Sequence, residues 1–339
     1  MKIGLIDVDG HNFPNLALMK ISAWHKARGD TVEWHWGFGH YDRVYMSKVF
    51  DEEYSRDIDE PLNADEVIKG GTGYVRRLSP SEVEIFETGK WISVLAEAMP
   101  SFLPACLPSA QSVKYQEFLP FEVEHTYPDY SLYQDMTGET AYGFLTRGCP
   151  RRCHFCIVAE KEGRRSVKVA DLSEWWSGQR NIILMDPNLL ACPDHMELLG
   201  QLIDSKAYVD VNQGFDCRLL TTEKINAIND LKLKSIHFAW DYMKYSDSVL
   251  SGLDLYAKHA KHRPHGSWGT VYTLVNYDTS MEENLYRIYT LRDMEFDPYV
   301  MIYDKPNAPQ EIRLLQRWCN NRIIFKSVPN FYDYDPRMG

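Results

Sequence analysis

TRGCPRRCHFCIVAEKEG, residues 146–163, packs three of the chain's seven cysteines, Cys149, Cys153 and Cys156, into eight positions. Thiolates three and two residues apart on a Gly-Cys-Pro loop can converge on one inorganic unit, but they leave its last valence unfilled. A structural zinc site would want a fourth Cys or His. His154 lies between two of the cysteines, where ligation by its neighbours would point it outward, so it is read as a lining or surface residue. The alternative is a [4Fe–4S] cluster with three irons held by these thiolates and one open to a small molecule. The remaining cysteines, Cys106, Cys192, Cys217 and Cys319, are far apart and bring the total to an odd number, a poor disulfide framework. Around the cluster, Arg147, Arg151, Arg152, Lys161, Arg164, Arg165 and Lys168 face only Glu160 and Glu162. That island would draw an anionic ligand toward the cysteines, or is a solvated loop of mixed charge.

The loop follows the first of six regularly spaced strand signals, AYGFLT, NIILM, YVDVN, SIHFAW, GTVYTLV and PYVMIY. Helical periodicity follows, as in Met196, Leu199, Leu202 and Ile203, or Val249, Leu253, Tyr256 and Ala260. Ser280 with Glu283 three residues on is a capping box. Serial βα units imply parallel strands with right-handed crossovers. The expected architecture over 136–339 is a partial (β/α)6 barrel of the TIM type, with RIIFKSV near the end as an extra strand or flap.

Parallel barrels place ligands at the carboxyl ends of their strands. The residues there are polar: Asp186 and Asn188; Gln213, Asp216 and Arg218; Asp241; Asn276 and Asp278. Singly, each is as readily a turn former or helix cap; together they would open onto the mouth that holds the cysteine loop. Asp241 and Cys217 are the candidates for catalytic groups, with a free buried thiol the competing reading of Cys217. Arg218 has a guanidinium fork suited to a carboxylate, or is tied up by Asp216.

The N-terminal region differs. KIGLIDV reads as a buried parallel strand, and a helix follows with Asn12 as cap, Pro14 in its first turn, Leu16, Met19, Ala23 and Ala27 on one face, and Gly29 as its stop. TVEWHW, RVYMSKV and DEVIKGG supply three more strands, giving a small Rossmann-like α/β domain over 1–78. Proline and aromatic residues over 79–135 suggest a connector with one helix near 81–97. A 339-residue chain with 44% hydrophobic content can bury a large core. Its formal charge of −11 argues against a protein that coats nucleic acid. There is no signal-peptide pattern and no membrane-length apolar run, so a soluble, cytoplasmic protein is expected.

CxxxCxxC with Phe155 before the third cysteine, set after the first strand of a sixfold βα series, resembles the radical S-adenosylmethionine (SAM) superfamily. The resemblance covers about 127–305, including PDYSLY, LMDPNLL and GFDCRLL. It implies that Cys149, Cys153 and Cys156 hold a [4Fe–4S] cluster, that the open iron chelates SAM, and that an electron from a flavodoxin or ferredoxin-type partner cleaves it. The resulting 5′-deoxyadenosyl radical would abstract hydrogen from a small-molecule, peptide or nucleotide substrate. Phe155 would pack by the cluster and adenine. The family's Gly-Gly-Glu after the second strand is replaced by Asp186, Pro187 and Asn188, while Gln213, Arg218 and Asn276 are further SAM-binding candidates. DGHNFP, read as DxHxxP with His11, resembles a cobalamin-binding domain more faintly. Ser47-Lys48-Val49 and Gly70-Gly71 fall where that fold contacts the nucleotide tail, although about four strands are found where it uses five. A cobalamin-dependent methyltransferase, a nucleic-acid-modifying enzyme and a non-catalytic metal or SAM-binding module are the alternatives.

Overall fold

The computed structural model describes residues 1–10, 13–50, 54–75, 92–93, 112–116 and 118–337. The chain divides into two compact units, Met1–Gly138 and Glu139–Gly339. His11, Asn12, Cys106 and the helix expected near 81–97 lie outside the described residues.

The first unit is built on β1 (Lys2–Asp7), β2 (Thr31–Trp34), β3 (Tyr41–Ser47), β4 (Ala64–Gly70), β5 (Ile92–Ser93) and β6 (Ser112–Gln116). Their order in the sheet is β2-β1-β3-β4-β6-β5, with every pairing parallel except β5 against β6. The strand that sequence reading lacked is therefore β6, inside the stretch expected to be a connector. The order reverses between β1 and β3, which makes the carboxyl ends of those strands the natural ligand crevice.

The helix Leu16–Ala27 starts later than expected. Asn15 is its cap, accepting from the Leu18 N–H at 3.2 Å, so Pro14 precedes the helix instead of opening it. The buried side accordingly shifts to Leu18, Met19, Ile21, Ser22 and His25. Gly29 ends it with φ +83°, as the stop signal required. Ile3, Leu5, Leu18, Ile21 and Ile68 form one core cluster; Tyr41, Val44, Met46 and Val67 form the other. PDYSLY belongs to this unit, not to the barrel-like region: Asp129 accepts from Ser22 Oγ and Lys26 Nζ, both at 2.6 Å.

In the second unit β7 (Thr140–Gly143) leads into a ribbon of two short antiparallel strands, β8 (Thr146–Arg147) and β9 (Val167–Lys168). Then come β10 (Asn181–Leu184), β11 (Tyr208–Val211), β12 (Lys232–Ala239), β13 (Thr270–Val275) and β14 (Asp297–Ile302). β7 and β10 to β14 form one sheet in chain order, each strand parallel to the next, as expected. Helices His195–Ser205, Thr222–Asp230, Ser246–His259 and Met281–Asp293 make the crossovers after β10 to β13. The crossover after β7 is instead the cysteine loop, which holds one helical turn, Val158–Lys161.

The Ser280–Glu283 capping box is present, Glu283 N–H donating to Ser280 Oγ at 3.2 Å and Ser280 N–H to Glu283 Oε2 at 2.8 Å. RIIFKSV is not a strand: Arg322–Ser327 is helical because Asn321 Oδ1 accepts from the Ile323 and Ile324 N–H groups at 3.1 and 3.2 Å. Register divides the sheet's residues between two faces. Val275 and Val300 pack against Ile288 and Leu315 of the helices, and Phe238 lies 5.0 Å from the Tyr256 ring. The alternate residues point the other way. Among the described residues no helix is long and apolar enough to cross a membrane.

Candidate functional site

The cysteine loop is closed at its neck. In the β8–β9 ribbon Thr146 pairs with Lys168 and Arg147 with Val167, and the Val169 N–H donates to Leu145 O at 2.8 Å. Gly148 sits at φ +81°, where an added Cβ would lie 2.2 Å from Arg165 O, so only glycine fits. Cys149 N–H donates to Gly163 O at 3.1 Å, and Glu162 accepts from Arg147 Nη1 at 2.9 Å and Gly148 N–H at 3.1 Å. Inside, the Cys156 N–H turns back to Cys153 O at 2.9 Å.

Asp186 does not face the mouth as the sequence suggested. It continues the parity of Ile182 and Leu184, so it lies buried on the helix-covered side. From there it accepts from Leu145 N–H (2.8 Å), Thr146 N–H (2.7 Å) and Thr146 Oγ (2.6 Å), anchoring the base of the cysteine loop. Burial pushes its carboxyl up to about 7 against those three donors. Asn188 does reach the cysteines: its Nδ2 stands 3.5 Å from Cys149 Sγ, while its buried Oδ1 has no hydrogen-bond partner among the described residues.

The three thiols share one electrostatic environment. The Cys153 thiol is pushed up to about 11, first by burial, then by Asp241, Cys156 and Cys149, with Arg218 opposing. Cys156 is raised chiefly by burial. Such thiols stay protonated at neutral pH until a cation compensates their charge. Among the described residues no group of three or more His, Cys, Asp or Glu is gathered as ligands of a single metal ion. His154 is exposed.

The other loops meet this one through aromatic rings and charge. Phe155 lies 5.5 Å from Tyr242 and 5.6 Å from Tyr277, and Tyr277 lies 4.7 Å from Tyr303. These three tyrosines were missed in the sequence. Their signal was an aromatic residue at or just beyond the end of each of the last three strands, next to the polar residues that took precedence. Asp216 accepts from Arg151 Nε at 2.7 Å and from Arg218 Nε and Nη2 at 2.7 and 3.1 Å, joining the cysteine loop to the turn after β11. The Arg218 fork is thus already engaged, although Cys153 and Asp241 still feel its charge.

Asp241 accepts from Leu274 N–H at 3.2 Å, and burial raises its carboxyl to about 6. Beneath it Arg287, fully buried, donates to Trp240 O, Asp241 O, Leu274 O and Asn284 Oδ1 at 2.6–3.0 Å. Cys217 is not in the mouth: it is buried, its Sγ lies 3.8 Å from Val249 O, and burial pushes the thiol up to about 12. Gln213 is exposed, and Asn276, at φ +65°, spends its amide on Tyr303 O at 2.9 Å. Of the seven residues of the basic island, Arg147 pairs with Glu162, Arg151 with Asp216, and Lys168 with Asp171 and Glu197, while Arg152, Arg164 and Arg165 are exposed.

The crevice of the first unit holds a second set of polar groups. Tyr133 Oη donates to Asp7 Oδ2 at 2.6 Å, Asn15 Nδ2 to Ser47 Oγ at 2.8 Å, and Val49 N–H to Asp9 at 2.5 Å. Lys48 is 0% exposed, and its Nζ has no hydrogen-bond partner among the described residues.

No family model matches the chain, and no curated protein sequence matches it. Among solved structures it is similar to a radical S-adenosylmethionine methyltransferase, TsrM, from Kitasatospora setae, with cobalamin and a [4Fe–4S] cluster bound. The match has a TM-score of 0.60 at 11% identity and covers 89% of this chain and 72% of that one. At that identity the likeness is one of fold, so what this chain shares with a radical SAM enzyme is its α/β architecture.

Proposed function

We propose that the chain is a cytoplasmic radical SAM enzyme whose second unit is a partial (β/α)6 barrel. The observation that carries this reading is the position of Cys149, Cys153 and Cys156 on a stapled loop after the first of six consecutive parallel strands. They would hold three irons of a [4Fe–4S] cluster and leave the fourth to SAM; the bound cluster supplies the electron for reductive cleavage of the sulfonium. The residues fit such a group. The Cys153 and Cys156 thiols, raised by burial, would release their protons on binding, and the orphaned Asn188 Oδ1 beside Cys149 is the kind of buried acceptor an ammonium group would satisfy. Phe155, Tyr242 and Tyr277 would shield the reacting centre from water, while Arg287 holds the ends of β12 and β13 in place. A low-potential flavodoxin or ferredoxin would be the reductant.

Anaerobic reconstitution tests this. About four irons and four sulfides per chain, with 5′-deoxyadenosine released on reduction with SAM, are expected for such a cluster. One zinc per chain and no nucleoside released would refute it.

A second reading, cobalamin-dependent methyl transfer, is favoured by β6 and Lys48. With β6 the first sheet has five parallel strands in the order β2-β1-β3-β4-β6, and just after β3 the buried Lys48 ammonium, 5.9 Å from the Tyr74 ring, has no hydrogen-bond partner among the described residues. There Lys48 would meet the anionic tail of cobalamin.

A further inference from the structure

Parallel sheets ordinarily bury both faces in aliphatic side chains. The helix-covered face of the second unit's sheet obeys, with Ile182, Val209, Phe238, Val271 and Val300 all at 0% exposure. Register puts a different set on the opposite face. Ile183 pairs with both Tyr142 and Asp210, Asp210 with Ser235, Tyr272 with Ala239 and Tyr299, and Leu274 with Met301. His237, two residues from Ser235 and from Ala239, shares that side. Although they lie in a strand, Tyr299 and Met301 are 44% and 46% exposed.

The rings there are ordered. His237 stacks on Tyr272 at 5.1 Å and 4°, and Tyr299 meets Tyr272 edge-on at 5.9 Å. Asp210 supplies a carboxylate to this face. His237 Nδ1 lies 2.9 Å from Val211 O and donates to it. Asp210 takes a bond from Ser235 Oγ, and His237 Nδ1 stands 3.9 Å from its Oδ1. Arg180 and Lys232 stand over Tyr208 at the amino ends of the strands. Asp241, two residues beyond Ala239, crowns the face at the other end, and it is the charge that Cys153 feels most.

We propose that this face binds the substrate, and that the substrate is a flat ring compound with N–H donors, neutral or cationic. Its donors meet Asp210, and its ring lies against Tyr272, Tyr299 and Met301. A carboxylate or phosphate in the same place would face Asp210 and the negative faces of the rings. The inference rests on the cysteine loop being the reactive centre above this face.

Binding to the full chain, measured by ligand-observed NMR without SAM or reductant, tests it. The probes are phenethylamine, 3-phenylpropionate of the same ring and length, and saturated 2-cyclohexylethylamine. Phenethylamine is expected to bind about tenfold or more tighter than either, and D210N to weaken it about tenfold, about 1.4 kcal/mol. Tyr299→Leu, at a partly exposed position, should weaken phenethylamine without lowering the melting temperature. Equal affinity for the ammonium and the carboxylate, or no effect of D210N, would overturn the proposal. Retained discrimination in a chain that releases no 5′-deoxyadenosine would count against the radical SAM reading alone; release without discrimination would count against this inference alone.

Discussion

Asp186 shows what a single residue's parity decides. Sequence placed it after the second strand of the series, among ligand-facing residues, and that was correct along the chain. What the sequence did not display was the side: with Leu184 turned under the helices, the residue two further on follows it inward. There it grips the backbone of Leu145 and Thr146, and its carboxyl is raised from the usual carboxylate range to about 7 by burial. A carboxyl whose folded pKa is raised binds its proton more tightly in the native state than unfolded. It therefore lowers stability as pH climbs from about 4 to 7, by up to about 1.4 kcal/mol per pH unit, and no further above that. Compared with D186N, the native protein should lose stability through this window and then run parallel to the variant, as denaturant melts at stepped pH would show. A constant difference from pH 5 to 8 would mean the carboxyl is not raised.

Among elements, the regular signals were legible and the irregular ones were not. The six strands of the second sheet and the Ser280–Glu283 box were readable because alternation, helical period and capping chemistry repeat with fixed spacing. At Asn12 and RIIFKSV the fold departs from the sequence pattern through the caps it uses. Asn15 takes the cap because its side chain reaches the Leu18 N–H, and two β-branched isoleucines enter a helix because Asn321 satisfies both of their amides. Asn321→Ala should cost about 1 kcal/mol, seen as a fall of about 2–4 °C in the melting midpoint with iron content unchanged. Cys149, Cys153 and Cys156 stood out in the sequence because three cysteines at that spacing have few other uses. Tyr242, Tyr277 and Tyr303 were not, because aromatic residues are so abundant in this chain, with 21 tyrosines, that position alone did not single them out.

At the scale of the molecule, the first unit turned out one parallel strand larger than its sequence pattern showed. β6 is separated from β4 by more than forty residues, and local periodicity cannot signal a pairing at that range. The completed order gives the unit a switch point between β1 and β3, and the buried Lys48 ammonium, over the Tyr74 ring, follows β3. Titration of the full chain with hydroxocobalamin should give a saturable shift in the visible spectrum, and Lys48→Gln should weaken it about tenfold. No shift at saturating ligand would assign the unit another role and leave the chemistry of the second unit untouched.

The neck of the cysteine loop owes nothing to iron. The β8–β9 ribbon, Gly148 lodged among carbonyls, the Glu162 bridges and the Asp186 anchor are all bonds of the polypeptide itself. Loss of the proposed cluster to oxygen should therefore leave an intact socket, ready to be recharged by iron delivery without passing through an unfolded chain.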